Sequence, residues 1–408
     1  MNRDFKPAVI KNLIVLLSVN AYQTLRFILL STQPSPSEVE TMEISSMRKN
    51  SFIRFAVAAT AVAVLAGTAL PANAAIKPAN KATIGDDCTQ ASTGKKAPGR
   101  GVDGSDLTCM SVTTGSFKGQ NKWWYADVKP LKAIDWTIPA NPGGYSLTAD
   151  AITDSLKAEG LLTSTTSVYK PGAGGAVGLG AFQEIKGKPE AAMVTGIAMT
   201  GGLYSNKSTL NLLASTPIAK ILREYDGIVV PASSKYRTLK QLMDDLVAKP
   251  NAVAIAGGNK GGVDHQIMGL LAQKASIDPT KLNYVVYSGG PEVITSLLSN
   301  ATQVGISGAL DFAPYVASGK LRYLGISSAK TISGIKAKTF VSQGYDLVYG
   351  NWRGIMAPAD LSKADYLNFV KVIDIMHVSP AWQAQLTKNK WDNEFVAGTA
   401  FKLSLIHI

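Results

Sequence analysis

From Ile134 onward the chain alternates short β-branched runs with amphipathic helical stretches, and this alternation restricts the fold more than any other feature. The run "DWTIP" leads through a Gly turn to the helical "LTADAITDSLKAEG", then to "TSVYK", a glycine loop, "GLGAFQEIKG" and "AAMVTG". The pattern resumes as "YDGIVVP", "LKQLMDDLVA", "AVAIAGG", "HQIMGLLAQKA", "LNYVVYSG", "PEVITSLLS" and "TQVGISG", and a helical stretch "KADYLNFVKVIDIMHV" closes it. Short strands separated by helices predict an α/β fold with parallel sheets covered on both faces and a ligand site at the carboxyl ends of the strands. No repeat of fixed period runs through the chain.

The loops after these strands share one chemistry. "NPGGYS", "KPGAGGAVG", "VTG", "AGGNKGGVDH", "YSGGPE" and "GISGA" are small and Gly-rich, and most carry a hydroxyl or an amide. Glycine lets backbone approach a ligand closely, and a helix N-terminus offers unpaired N–H groups to negative charge. Converging on one cleft, such loops predict a receptor for carboxylate or phosphate groups built from backbone donors with few side-chain charges. A nucleotide fingerprint is not met. Gly172, Gly174 and Gly178 are spaced G-x-G-x-x-x-G, one residue too long for the dinucleotide pattern, and no Gly-Lys-Ser/Thr comes after them.

Catalytic constellations do not assemble either. His265 and His377 are the only histidines besides His407, and neither has the Cys or carboxylate spacing of a metal site, so no metal and no cofactor is expected. "GISGA" departs from G-x-S-x-G at Ala309, and "SSAK" lacks the companion motifs of the Ser-x-x-Lys enzymes. An exported serine hydrolase using Ser307 or Ser327 stays open as an alternative to a non-enzymatic binder.

Met47 begins a basic segment (Arg48, Lys49, Arg54), an Ala/Val/Leu-rich stretch from Phe55 to Leu70 and the small-residue site Ala72-Asn73-Ala74, which together read as a secretory signal peptide over 47–74. Residues 1–46 lie upstream of that signal and are read as a non-native or untranslated extension. Export would place the protein in the periplasm or at the outer face of the cell membrane, where Cys88 and Cys109 would pair. Residues 75–87 read as linker. The segment from Cys88 to Tyr125, with Trp123 and Trp124 packing beneath two strand-like runs, reads as a small disulfide module, and the whole of 75–133 is set apart from the α/β region beginning at 134. A cell-surface binding protein acting through this module is a further alternative.

The formal net charge of +12 falls to +9 beyond residue 74, from 34 Lys and Arg against 25 Asp and Glu. These basic residues are scattered, with Lys95-Lys96 the longest run and no basic helix interleaved with aromatics, so no nucleic-acid partner is expected.

"PGAGGAVGLGAF", "MVTG", "GGNKGGVDHQIMGLLAQKASIDPTKLNYVVYSGG", "ASGKLRYLGISS" and "NWRGIMAP" closely resemble the solute-binding receptors of tripartite tricarboxylate transporters, the TctC or Bug family, from about Ile134 to Ala397. The resemblance implies a type II periplasmic-binding-protein fold with two α/β lobes and a crossover hinge, the first lobe holding about 134–231 plus 356–401 and the second 232–355. It further implies a monomer that captures a small organic acid for the large and small integral-membrane subunits of such a transporter. Matching positions for the ligand's carboxylate are Gly143, Gly144, Tyr145 and Ser146 in the first lobe and Gly257, Gly258, Asn259, Gly261, Gly262, Asp264 and His265 in the second. Thr195, Ser288, Gly289 and Ser307 match other cleft positions. Tyr145 and Trp352 are candidate apolar walls and Arg353 a candidate counter-charge or hinge brace. One departure stands out: where family members often carry an acidic residue after the first Gly-Gly, this chain has Leu147, with Asp150 three residues on, which points to a different solute. The tail 402–408, "KLSLIHI", does not continue the family's pattern.

Overall fold

The computed structural model describes residues 76–406. The segment read as a signal peptide, the extension before it and the last two residues of the tail lie outside the described residues.

The described chain opens with three short strands, β1 (Lys96–Ala97), β2 (Leu107–Ser111) and β3 (Asn121–Trp124), paired antiparallel in that order. Cys88 and Cys109 are disulfide-bonded across 21 residues. In the chain-entropy view, a loop of this size stabilises the fold by roughly 3 kcal/mol. Residues 76–87, which composition marks as linker, are built into this unit: the Lys77 carbonyl accepts the Trp123 indole N–H at 2.8 Å, and Ala82 is fully buried. The unit also shares its core with the first lobe. Trp123, Trp124 and Tyr125 belong to one apolar cluster with Phe369, Val372, Ile373 and Trp382.

The first lobe runs β4 (Leu131–Ile138), α1 (Gly144–Ala158), β5 (Leu162–Tyr169), α2 (Ala176–Gln183), β6 (Ala191–Gly196) and α3 (Ile197–Ser205), and enters β7 (Thr216–Pro231). The second continues with α4 (Leu239–Ala248), β8 (Ala254–Gly257), α5 (Val263–Lys274), β9 (Asn283–Val286), α6 (Gly290–Leu298), β10 (Val304–Gly308), α7 (Ala309–Ala317) and β11 (Leu321–Ile326). The chain then returns through β12 (Gly350–Ala357), α8 (Lys363–Val378), α9 (Pro380–Asn389), β13 (Asp392–Ala397) and α10 (Gly398–Leu405). Local rules account for many of these elements. Helix α4 starts where the Thr238 hydroxyl accepts the Gln241 N–H, and it buries Leu239, Leu242, Met243 and Leu246, one face of a 3.6-residue period. Helix α9 has Ser379 as its cap and Pro380 in its first turn.

The long strand β7 joins the lobes. Its first part, through Tyr225, pairs with β12 and β13; from Asp226 it pairs with β10 and β11. The first-lobe order is therefore β5-β4-β6-β12-β7, and the second is β9-β8-β10-β7, with β13 and β11 on the far sides of β7. Both cores contain the expected parallel pairs, β5-β4-β6 and β9-β8-β10. Neither sheet is wholly parallel. A strand that crosses from one lobe to the other meets the next sheet head-on, so β7 pairs antiparallel in both lobes and the returning β12 does so in the first. Apolar clusters cover the sheet faces of each lobe. In the tail, Leu405 is buried at the end of α10 beside Phe401.

Candidate functional site

Strand ends and loops from both lobes enclose a cleft of about 950 Å³. On the first-lobe side, the loop after β4 turns at Gly143 into α1, and the loop after β5 (Pro171–Gly175) lies beside it. Gly144 packs on the Arg353 guanidinium; a Cβ there would stand 2.2 Å from Nη2, so a larger residue would push the guanidinium off its place. Gly174 (φ 63°) rests on the Gly202 backbone, where a Cβ would meet Cα at 2.7 Å. The glycine run thus holds the lip against α3.

The floor comes from β7, which brings Glu224, Tyr225 and Asp226 into the cleft where it changes sheets. Glu224 forms an ion pair with Arg353 and accepts the Asn351 amide at 2.7 Å. The guanidinium lies 5.2 Å from the Tyr145 ring, whose hydroxyl is pushed up to about 12 by burial. Asp226 is 2% exposed and sits against Asp264; its Oδ2 accepts no hydrogen bond from the protein. Burial, and then the Asp264 charge, push the Asp226 carboxyl well above the ordinary carboxylate range. Asp264 is also raised by burial, although the Gly258 N–H donates to its Oδ2 at 2.7 Å. Asp311 is exposed to the open cleft, and desolvation by the cleft walls, with the Glu224 and Asp264 charges, pushes it up to about 6.

This cluster has a consequence for stability. A carboxyl raised in the folded state holds its proton there after the unfolded chain has released it, so its contribution is full below the ordinary carboxylate value and is lost as pH rises through the folded one. Asp226→Asn keeps a donor facing Asp264 and cannot ionise. We expect melting temperature to fall from pH 4.5 to 8 less steeply in this variant than in the parent; parallel profiles would show that Asp226 does not titrate as described.

The structure sorts the residues expected from sequence. Gly143, Gly144, Tyr145, Gly258, Asn259, Gly262, Asp264, Ser288, Gly289 and Ser307 line the cleft. The others stand behind it. Ser146 turns back to Gly143, accepting its N–H at 3.0 Å. Thr195 is fully buried against Met199, and Gly257 lies under the Tyr284 hydroxyl. Gly261 meets Gly201 across the seam between lobes. Burial and Lys260 keep the His265 pKa low; its Nδ1 accepts the Gly261 N–H at 3.2 Å and its ring stands edge-on to Tyr284, so it braces the loop. Trp352 alternates with Arg353 along β12 and so faces the opposite side of the sheet, against Phe401 at 6.0 Å. Arg353 itself reaches the floor and Leu147 the rim, while Asp150 lies outside the lining. Ser307 donates to Asp311 at 3.4 Å; Ser327 is fully buried, its hydroxyl accepting the Asp226 N–H.

The expectation of few side-chain charges is overturned. Glu224, Asp226, Asp264, Glu292, Asp311, Arg353 and Lys390 all line the cleft. Asp311 was within reach of sequence reasoning, just past the carboxyl end of the assigned strand "TQVGISG", where ligand sites gather in α/β folds; Asp226 stands at the amino end of "YDGIVVP", where that rule does not point.

A family model described as "Tripartite tricarboxylate transporter family receptor" matches residues 159–400, more than half of the chain. A UPF0065 protein from the tcbD–tcbE intergenic region of Pseudomonas sp. (strain P51) is 21% identical over 256 residues, 61% of this chain and 74% of its own length. A TctC solute-binding protein from Polaromonas superposes with a TM-score of 0.52 at 20% identity, covering 68% of this chain and 95% of its own. MatC from Rhodopseudomonas palustris with bound malate superposes at 0.56 and 16% identity, covering 64% and 90%. At these identities the structural likeness establishes the two-lobed periplasmic-binding-protein fold.

Proposed function

Because the chain belongs to the tripartite tricarboxylate transporter receptor family, we propose that it is an exported, monomeric solute receptor that captures a small carboxylated solute and delivers it to the membrane subunits of such a transporter. The observation that carries this reading is the cleft between the lobes, with the first turns of α1 and α3 at its first-lobe side and no acidic side chain in either turn. Such helix ends favour a carboxylate. MatC, of the same fold, holds malate. We place the lobe boundaries at the partner exchange of β7 and at the start of β12, that is near 225 and 350, each slightly earlier in the chain than the 231 and 356 expected from sequence. Closure about these two strands would trap the solute and present a new outer shape to the membrane subunits. The sequence departure at Leu147 argues against a plain tricarboxylate.

A thermal-shift screen of dicarboxylates, tricarboxylates, aromatic acids and amino acids tests the reading. A cognate solute at about one hundred times its Kd adds about 2.7 kcal/mol to the unfolding free energy. Absence of any shift across the screen would count against a receptor, and covalent labelling of Ser307 by a fluorophosphonate would count for the hydrolase alternative.

A further inference from the structure

Helix α1 runs from the cleft to the N-terminal module. It starts at Gly144 on the cleft wall and ends at Ala158, next to Glu159, a residue that is 4% exposed. The Ser116 backbone N–H and hydroxyl, both from the module, donate to the Glu159 carboxylate at 2.8 and 2.6 Å. An acidic group at a helix C-terminus opposes the helix dipole, so Glu159 depends on these two donors. Helix α8 depends on the module in the same way. Every residue from Phe369 to Met376 is buried, although Lys371 and Asp374 belong to that run. The module supplies their partners: Lys371 donates to Asp127, and Asp374 accepts the Tyr125 hydroxyl, which itself accepts the Val102 N–H at 2.8 Å. Helix α10 is capped from outside as well. Ala397 at its start has no side-chain oxygen, and Asp103 of the module accepts the Thr399 N–H at 2.8 Å in its place.

The module cannot hold this arrangement by its own packing. Its strands have two, five and four residues, and a unit this small needs a covalent staple to fold. Cys109 stands opposite Trp123 in the pairing of β2 with β3, and Trp123 enters the core shared with α1 and α8. The bond from Cys109 to Cys88 draws the preceding segment over Trp123, where the Lys77 carbonyl accepts the indole N–H. The disulfide therefore sits where folding of the module and packing of the first lobe meet. The two apolar clusters of the second lobe contain, among the described residues, none from the module.

We propose that Cys88–Cys109 is a redox switch on the first lobe. With the thiols reduced the module undocks, and α1, which carries one wall of the cleft, loses the anchor at its far end; oxidation restores both. Closing the bond removes two protons and two electrons from the thiols, and a disulfide-bearing oxidant takes them by exchange and leaves as a dithiol. A chain that cannot complete its first lobe while reduced stays incompetent until it meets an oxidising compartment. The switch goes beyond the receptor reading and its test needs no solute, so either can fail without the other.

Hydrogen exchange followed by mass spectrometry, on the intact protein before and after reduction by tris(2-carboxyethyl)phosphine, tests it. Reduction should speed exchange in α1, α8 and α10 by about tenfold or more and leave α4 and α6 of the second lobe within about twofold. Faster exchange confined to residues 88–125, with α1 and α8 protected as before, would overturn the switch. An equal rise in α4 and α6 would overturn its placement on the first lobe. Tyr125→Phe gives an independent reading with the disulfide intact. If the disulfide holds the docked module, docking holds the disulfide by the same factor. This variant keeps the ring and drops the hydroxyl between Asp374 and Val102. At a fixed ratio of reduced to oxidised glutathione, its dithiol-to-disulfide ratio should exceed the parent's by about tenfold or more. An unchanged ratio would overturn the coupling between docking and the bond.

Discussion

Replacing Arg353 by Met lowers the unfolding free energy by about 3 kcal/mol at neutral pH, because it leaves Glu224 charged among Asp226, Asp264 and Asp311 with no cation to balance it. The magnitude is the low end for breaking a buried pair, since the Glu224 side chain keeps 21% exposure while that of Arg353 keeps 7%. Two further contacts go with the guanidinium: the Tyr145 ring beneath it and the Gly144 backbone packed on it. The charge component can be separated from packing. In the double variant Arg353→Met with Glu224→Gln, the uncompensated carboxylate is gone, and most of the lost stability should return in urea unfolding. A double variant as unstable as the single one would show that the guanidinium acts through packing alone.

The parts of the molecule that were legible in the sequence are those set by local rules. Amphipathic α4 and α8, the β-branched cores of β4, β6, β8 and β10, and the Gly loops after them arise from residue pattern, and those loops do reach the cleft. Elements whose reason lies elsewhere in space escaped. Helix α3 contains Gly201 and Gly202, poor helix formers tolerated because other backbone passes against them. Helix α7 carries Pro314, which reads as a break. The first ten residues of β7, "TPIAKILREY", mix charged and apolar residues without alternation, since that part is paired on both sides and crosses into a second sheet. Part of the floor escaped for the same reason. The resemblance pointed to Asp264 and Arg353, but Glu224, Asp226 and Asp311 come from other stretches of chain that no spacing rule links to them, and only the crossing of β7 and β12 brings them together. Fusion of the N-terminal module was hidden as well. Its anchors, Tyr125 to Asp374, Asp127 to Lys371 and Ser116 to Glu159, join residues far apart in sequence.

Gly201→Ala should weaken solute binding at least a hundredfold while leaving the fold as stable as before or slightly more so. The seam where α3 meets the Gly258–Gly262 loop is a place where the lobes touch behind the cleft: Ser205 donates across it to the Lys260 carbonyl at 2.8 Å, while within the second lobe Gln266 donates to the Gly261 carbonyl. A Cβ on residue 201 would lie 1.8 Å from the Gly261 oxygen and 2.4 Å from Gln266 Nε2. The first of these is backbone on the opposite lobe, so no rotamer change relieves the overlap; the lobes must stand further apart. Within its own lobe the substitution is benign, because alanine is a better helix former than glycine by about 0.8–1.0 kcal/mol. The two effects therefore have opposite signs, which separates a closure defect from a folding defect. Calorimetric titration with the tightest solute from the screen, together with a rise in the radius of gyration by small-angle scattering, reads the first; thermal melting of the free protein reads the second. Unchanged affinity would mean that the cleft holds its solute without this seam closed, and the hinge motion assigned to β7 and β12 would lose its role in capture.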